Sequence, residues 1–382
     1  MALIRAVLHP YPAPAETSVR QLFDALVERL GTDAVFSYLR ERQLVSAALA
    51  THGTSAHIID PSSAFPVFGH VSRVLSGLHR MELGRLAASF EATGVPLIAF
   101  KGVALEAALG NTNAPAYSND IDVLVPRGRL PQAREALCAL GYSSELWIRA
   151  GQVSRMPSRV VEMSENSLYS FGQCAPMGRL VAVPELAPMS RQLLELFPHL
   201  FCFADDRFQL KLSVDLHYSL NQLTDDVGTR VKPSEGVWLD DTEKVDIDGV
   251  TVATLSHRVL SWVLPHRLYV DAALLQEASA KSLCHLKSLW HHGTLDTEHV
   301  RDVALRYPYL APSLYYALRA MDQLCGTSAQ PLIEPVRIRQ SATPLMNVGD
   351  CLPALLGFAV EVTLGEPAGP DTGDTGIALR PV

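Results

Sequence analysis

The sequence predicts a mixed fold, α/β or α+β, with a sheet domain that begins at Val95 between two helical lobes. Three features lead there. Apolar residues recur at helical spacing through residues 17–50 and 67–90. From Val95 onward, short apolar runs alternate with short helical stretches across tight connections, as in a sheet with packed helices. After Ser256 the spacing turns helical again and stays so to residue 327.

In the N-terminal part, Val19, Leu22, Phe23, Leu26 and Leu30, then Val35, Tyr38 and Leu39, share one side of a helical repeat. Residues 51–66 are rich in Gly, Ser, His and Pro and read as a loop. A second long helix carries Val67, Val71, Val74, Leu75, Leu78, Leu83, Leu86 and Phe90 on one side and stops at Gly94. Residues 96–100 form an apolar run of strand length, ended by Lys101-Gly102, and residues 103–109 read as helical turns closed by Gly110. A polar loop, 111–119, precedes a strand at 121–125, and a helix over 130–140 ends at Gly141.

Residues 142–198 mix a strand-like 180–183 with a helix at 190–196. A hairpin follows, 201–203 turning at 204–207 into 208–220. Its second arm alternates Leu210, Leu212, Val214 and Leu216 against Lys211, Ser213, Asp215 and His217. Asp248-Gly249 marks a further hairpin turn. Ser256 is a suitable N-cap for a run of helices interrupted at Pro265, Gly293, Pro308 and Pro312. The expected organisation is a helical lobe at 1–94, a core at 95–255 with an insert at 142–198, a helical lobe at 256–364 and a flexible tail at 365–382.

With 382 residues, 48% hydrophobic and 19% charged, the chain can bury a sizeable core and exceeds one ordinary domain. A net charge of −8 argues against a surface built to coat nucleic acid, though it leaves a local basic groove open. Only six of its 32 basic residues are lysines, so each lysine stands out. The six cysteines form no C-x-x-C pair and read as reduced core thiols of a cytoplasmic protein. No secretory leader is visible, and the apolar run 353–364 is too short to span a membrane and contains Glu361.

The chemistry is expected at three short segments. Asp120 and Asp122 alternate around Ile121 at the start of a strand, so both carboxylates face one way. That repulsion is tolerable where a hard divalent cation bridges them. Lys101-Gly102 ends the preceding strand, where a glycine lets backbone approach a phosphate and the lysine adds a point charge. Asp215 and His217 lie on the polar face of a later strand and would bring a third carboxylate. Neither an Asp-x-Asp nor a strand–Lys–Gly turn is specific alone; the combination is.

Phe100-Lys-Gly102, Asp120-Ile-Asp-Val-Leu-Val125 and Val214-Asp-Leu-His217, in this order, resemble the uncharacterised nucleotidyltransferases of the polymerase-β-like superfamily. The resemblance covers roughly residues 67–300. Two positions differ from the pattern: Ala116 stands where many relatives carry Arg, and Lys101-Gly102 replaces a Gly-Ser turn. The resemblance implies an α+β fold, a small mixed sheet flanked by helical lobes. It implies that Asp120, Asp122 and Asp215 are catalytic and hold two magnesium ions, with manganese as an alternative. Lys101, Gly102, Val103, Ser118 and His217 would bind the nucleotide, a nucleoside triphosphate such as ATP.

The second substrate would be an unidentified acceptor, a hydroxyl or phosphate on a small molecule or modified peptide. Nucleic acid is disfavoured by the charge balance, although a toxin-like enzyme acting on tRNA and a non-catalytic, antitoxin-like nucleotide-binding module are the competing readings. Lys101→Met is expected to weaken nucleotide binding without lowering the stability of the nucleotide-free protein. Three weaker signals remain. Arg149, Arg155 and Arg159 could clamp a phosphate or acceptor. His266 could reach the cleft. Cys284, His285, His291, His292 and His299 cluster without zinc-site spacing.

Overall fold

The computed structural model describes residues 1–110, 117–165, 174–220, 233–274, 279–333, 349–360 and 379–381. Its N-terminal part is helical: α1 (Ala2–Leu8), α2 (Thr17–Leu30), α3 (Thr32–Glu41), α4 (Val45–His52), the single turn α5 (Ala56–Ile59) and the long α6 (Ala64–Ala92). The periodic stretch 17–50 is thus broken into three helices. Gly31 and Gln43, at φ 88° and 54°, turn the chain between them. The expected loop 51–66 holds α5 and the start of α6, and α1 precedes the first expected helix.

The sheet region runs β1 (Ile98–Ala99), α7 (Gly102–Ala108), β2 (Asp120–Leu124), α8 (Leu130–Ala139), β3 (Leu146–Arg149), β4 (Gln152–Arg155), α9 (Ser158–Glu165), β5 (Met177–Ala182), α10 (Ser190–Leu196), β6 (Phe201–Ala204), β7 (Arg207–His217), α11 (Gly236–Leu239), β8 (Thr242–Ile247) and β9 (Val250–Leu255). Seven strands form one mixed sheet in the order β5-β7-β2-β1-β9-β8, with β6 also on β7. The pairs β2–β7 and β1–β9 are parallel and the others antiparallel, so the expected mixed sheet is present. Strands β3 and β4 form a separate hairpin. The Asp248-Gly249 turn has φ 53° and 84°, the two left-handed residues that a tight hairpin requires.

Five further helices follow: α12 (His257–Tyr269), α13 (Lys281–His291), α14 (Thr297–Arg306), α15 (Ala311–Cys325) and the single turn α16 (Leu352–Leu355). Ser256 caps α12 as expected, its Oγ accepting from Val259 N at 3.2 Å. Two prolines act differently from expectation. Pro265 lies inside α12, where residues Val259–His266 are all buried, so packing outweighs the lost backbone hydrogen bond. Pro312 opens α15, whose first turn has no backbone partner to lose. Of the tail expected at 365–382, only Leu379–Pro381 is described, paired antiparallel with Phe358–Val360; the rest lies outside the described residues. Among the described residues no helix is long and apolar enough to cross a membrane. The six cysteines form no disulfide, and all but Cys138 are buried.

Two hydrophobic clusters organise the packing. One joins α6 and α8 to one face of the sheet through Leu86, Phe90, Leu137, Val123, Val214 and Leu216. The other joins the N-terminal helices to the C-terminal ones, from Phe23 and Phe65 to Trp262, Tyr269 and Leu318. The first and last thirds of the chain therefore share a core, and both reach the opposite face of the sheet.

A buried polar junction fixes α6 to β5. Glu82 accepts from Arg179 Nη2 at 2.6 Å and from Tyr142 OH at 2.9 Å. Glu82→Ala strands a guanidinium and a phenol, and should lower the unfolding free energy by about 2–4 kcal/mol, toward the low end because Arg179 reaches water. Urea denaturation reads this directly; a loss below about 0.5 kcal/mol, typical of an exposed pair, would mean the junction carries no load.

Candidate active site

Strands β2 and β7 run parallel and in register, with Asp120 opposite Ser213, Asp122 opposite Asp215 and Leu124 opposite His217. Alternation then does the rest. Ile121, Val123, Val214 and Leu216 point into the cluster beneath α6 and α8, while Asp120, Asp122, Asp215 and His217 line a cavity on the other face. Asp122 and Asp215 are buried, at 4% and 8% exposure.

Asp122 is the most heavily partnered of the three acids. The Lys101 ammonium, arriving from the end of β1, donates to Asp122 Oδ1. His217 Nε2 lies 2.9 Å from the same oxygen. His217 therefore supports Asp122 and not Asp215, because the register sets it diagonally across from Asp122. Burial alone would raise the Asp122 carboxyl, but Lys101 and His217 outweigh it and hold it well below the usual carboxylate range. Burial, and then Lys101, push the His217 imidazole down to about 4, so it is neutral at pH 7 and donates from Nε2.

The other two acids go the opposite way. Burial, with the charges of Asp120 and Asp122, drives Asp215 well above the ordinary carboxylate value. Burial and the Asp122 charge likewise raise Asp120, whose Oδ1 lies 3.1 Å from the Ser118 hydroxyl. The two raised acids and the one held low lie side by side, an arrangement that a bound cation would relieve. Ligand atoms of Asp122, Asp215 and His217 lie within 4.8 Å of one another, the only such convergence among the described residues. With His217 engaged to Asp122, the donors left are carboxylate oxygens, which suit a hard divalent cation such as magnesium.

The remaining expected residues fall in and out of the site. Gly102, at φ 54°, makes the sharp turn between β1 and α7 and lines the cavity with Lys101 and Ser118. The Val103 side chain is in the core, which leaves only its backbone to face a ligand. Arg149, Arg155 and Arg159 are exposed on β3, β4 and α9, Arg155 pairing with Glu145, and none lines the cavity. His266 is buried against Ser313 Oγ at 3.0 Å and does not reach the cleft. Cys284 is buried, His291 and His292 are exposed, and these residues do not converge with His299. His285 does reach the cavity, its Nε2 3.0 Å from Glu106 Oε1.

The cavity, of about 470 Å³, also has walls that the motifs do not announce. Helix α12 brings Arg267, paired with Asp271 at 3.2 Å. Helix α13 brings Lys281, whose Nζ donates to the Tyr117 carbonyl at 2.7 Å. Burial lowers the Lys281 ammonium while Asp120, Glu106 and Asp122 draw it back up, which places it in the field of the acids. Lys211, on β7, lies in the field of Asp215 and Asp120. Three of the six lysines thus surround one carboxylate cluster, a pattern the scarcity of lysine could have flagged.

The profile of a family described as uncharacterised nucleotidyltransferases matches residues 43–326, about three quarters of the chain. The chain belongs to that family. It is therefore a transferase, and Asp120, Asp122, Asp215, Lys101 and Lys281 all lie within the matched span. No curated protein and no solved structure matches the chain.

The pairing of Lys101 reverses the expectation for its removal. Lys101 is the main countercharge of a buried carboxylate, so Lys101→Met should cost about 2–3 kcal/mol in chelator. Magnesium should recover most of that loss, because a divalent ion can replace the ammonium as countercharge. Thermal melts with and without magnesium check this. An unchanged melting temperature in chelator would show that Lys101 does not balance Asp122.

Proposed function

We propose that this enzyme transfers a nucleoside monophosphate from a nucleoside triphosphate, such as ATP, to a hydroxyl or phosphate acceptor on a small molecule or modified peptide, releasing pyrophosphate. The observation that carries this reading is the in-register pairing of Asp122 with Asp215, with Asp120 on the same face, before a cavity edged by Lys101, Lys281 and Arg267. A cavity of this size takes small molecules. The free cysteines agree with a cytoplasmic setting.

Asp120, Asp122 and Asp215 would hold two magnesium ions. Bound there, the metal would supply Lewis-acid stabilisation of the phosphoryl charge and acidify the acceptor hydroxyl. The chain's own residues do the rest. Lys101 and Lys281 meet the charge of the triphosphate, and Gly102 lets the backbone turn close to it. His217 stays neutral and keeps Asp122 oriented. Asp215, in its ionised form, takes the proton of an acceptor hydroxyl. The acceptor oxygen forms its bond to the α-phosphorus as the bond to the bridging oxygen breaks, and that electron pair leaves with pyrophosphate.

Separating the acids tests this division of labour. Asp215→Asn should reduce pyrophosphate release, with a small-molecule cell extract as acceptor source, by about 10²–10⁴-fold. Its affinity for a non-hydrolysable triphosphate should fall less than roughly tenfold, about 1.4 kcal/mol. Asp122→Asn should damage both. Wild-type release from Asp215→Asn would remove it from the catalytic set and leave β7 a structural strand.

A further inference from the structure

Three histidines line the cavity, His199, His217 and His285, and they are not equivalent. Burial and then Lys101 act against the charged form of His217, whose carboxylate partner, Asp122, is shared with Lys101. Burial, then Lys211 and Arg40, act against the charged form of His199. His285 has a carboxylate of its own. Its Nε2 lies 3.0 Å from Glu106 Oε1, and Glu106 makes no other side-chain hydrogen bond among the described residues.

As a structural contact this pair is incomplete. Glu106 and His285 are buried, at 4% and 5% exposure, yet Glu106 Oε2 has no hydrogen-bond partner. Glu82 shows what a structural acid of this protein looks like: both its oxygens are engaged, by Tyr142, Arg179 and Arg85, and it lies away from the cavity. An unsatisfied buried oxygen costs stability, and such groups persist where they serve the chemistry. Glu106 itself does not line the cavity, so it acts there through His285. With Nε2 given to Glu106, Nδ1 is the ring nitrogen left for a ligand. Lys281 precedes His285 by one turn of α13, so the two share a helix face. The Glu106 charge favours the Lys281 ammonium and, after burial, drives the Tyr11 phenol up, which identifies both as neighbours of the carboxylate.

We propose that Glu106 and His285 form a proton-donating pair, in which His285 gives the proton on Nδ1 to the departing pyrophosphate and Glu106 is the positioning residue that holds Nε2–H. This rests on the nucleotide-transfer reading, in which Lys281, beside His285, meets the charge of the triphosphate. As the bond from the α-phosphorus to the bridging oxygen breaks, its electron pair stays on that oxygen, and the His285 proton moves to the pyrophosphate. The ring is left neutral, with Nε2–H still on Glu106, and takes its next proton from water. Asp215 removes a proton at the acceptor and His285 supplies one at the leaving group. Lys101 and Lys281 stabilise charge without giving up a proton, whereas imidazole exchanges one readily near neutral pH.

Departing groups of graded basicity test this. The full chain, with magnesium and a small-molecule cell extract, is given saturating ATP, β,γ-methylene-ATP or β,γ-difluoromethylene-ATP, each radiolabelled at the α-phosphorus, and transfer of label is timed. The methylene bridge makes the departing group more basic than pyrophosphate, and the fluorines make it less so. His285→Gln should lose at least about 10²-fold with ATP and the methylene analogue, but under about tenfold with the difluoromethylene analogue, which departs without a proton. Glu106→Gln keeps an acceptor for Nε2–H and removes the charge behind the ring, so its losses should follow the same order and be smaller. Both variants should bind α,β-methylene-ATP within about threefold of wild type, and their melting curves report that they fold. Equal losses with all three triphosphates, or no loss, overturn the proposal. So does a fall in analogue affinity large enough to account for the lost transfer. If the wild-type protein moves no label from ATP, the nucleotide-transfer reading itself fails and takes this inference with it.

Discussion

Everything in this site depends on the parallel, in-register pairing of β2 with β7. That register puts Asp122 directly across from Asp215, and strand alternation adds Asp120 to the same face. Three carboxylates at such spacing repel one another in a buried setting, and the surroundings are arranged around that repulsion. Lys101 and His217 each donate to Asp122, which is held ionised, while Asp120 and Asp215 are driven toward the protonated form.

The second consequence concerns the helices. Because the first and last thirds of the chain share a hydrophobic core, α3 and α13 approach the same face of the sheet from opposite ends of the sequence. Arg40 and Lys281 are thereby delivered to one cavity although 241 positions separate them. Both line it together with the acids.

Local signals made the acids legible in the sequence. Alternation within Asp120-Ile-Asp122 and Ser213-Val-Asp-Leu-His217 is a property of single strands, and the Ser256 cap and the Asp248-Gly249 turn are equally local. What depended on tertiary placement was not legible. That His217 serves Asp122 follows from a strand register, which no single segment encodes. Arg40, Arg267 and Lys281 carry no motif, and helix packing brings them in. The β3–β4 hairpin went unread because its two-residue turn puts Ala150, at φ 49°, before Gly151, at φ 74°, and an alanine at the first position masks the usual pattern. Pro265 misled because buried helices tolerate a proline when packing compensates.

The central claim is that the acids bind nucleotide through a divalent cation, and one calorimetric comparison tests it most directly. A non-hydrolysable triphosphate is titrated into the wild-type protein in magnesium or manganese, and again in excess chelator. Paired acids at Asp120, Asp122 and Asp215 should repel a bare triphosphate, so affinity in chelator should be lower by at least about tenfold. Equal affinity in the two conditions would contradict the account and leave these carboxylates without the role assigned to them.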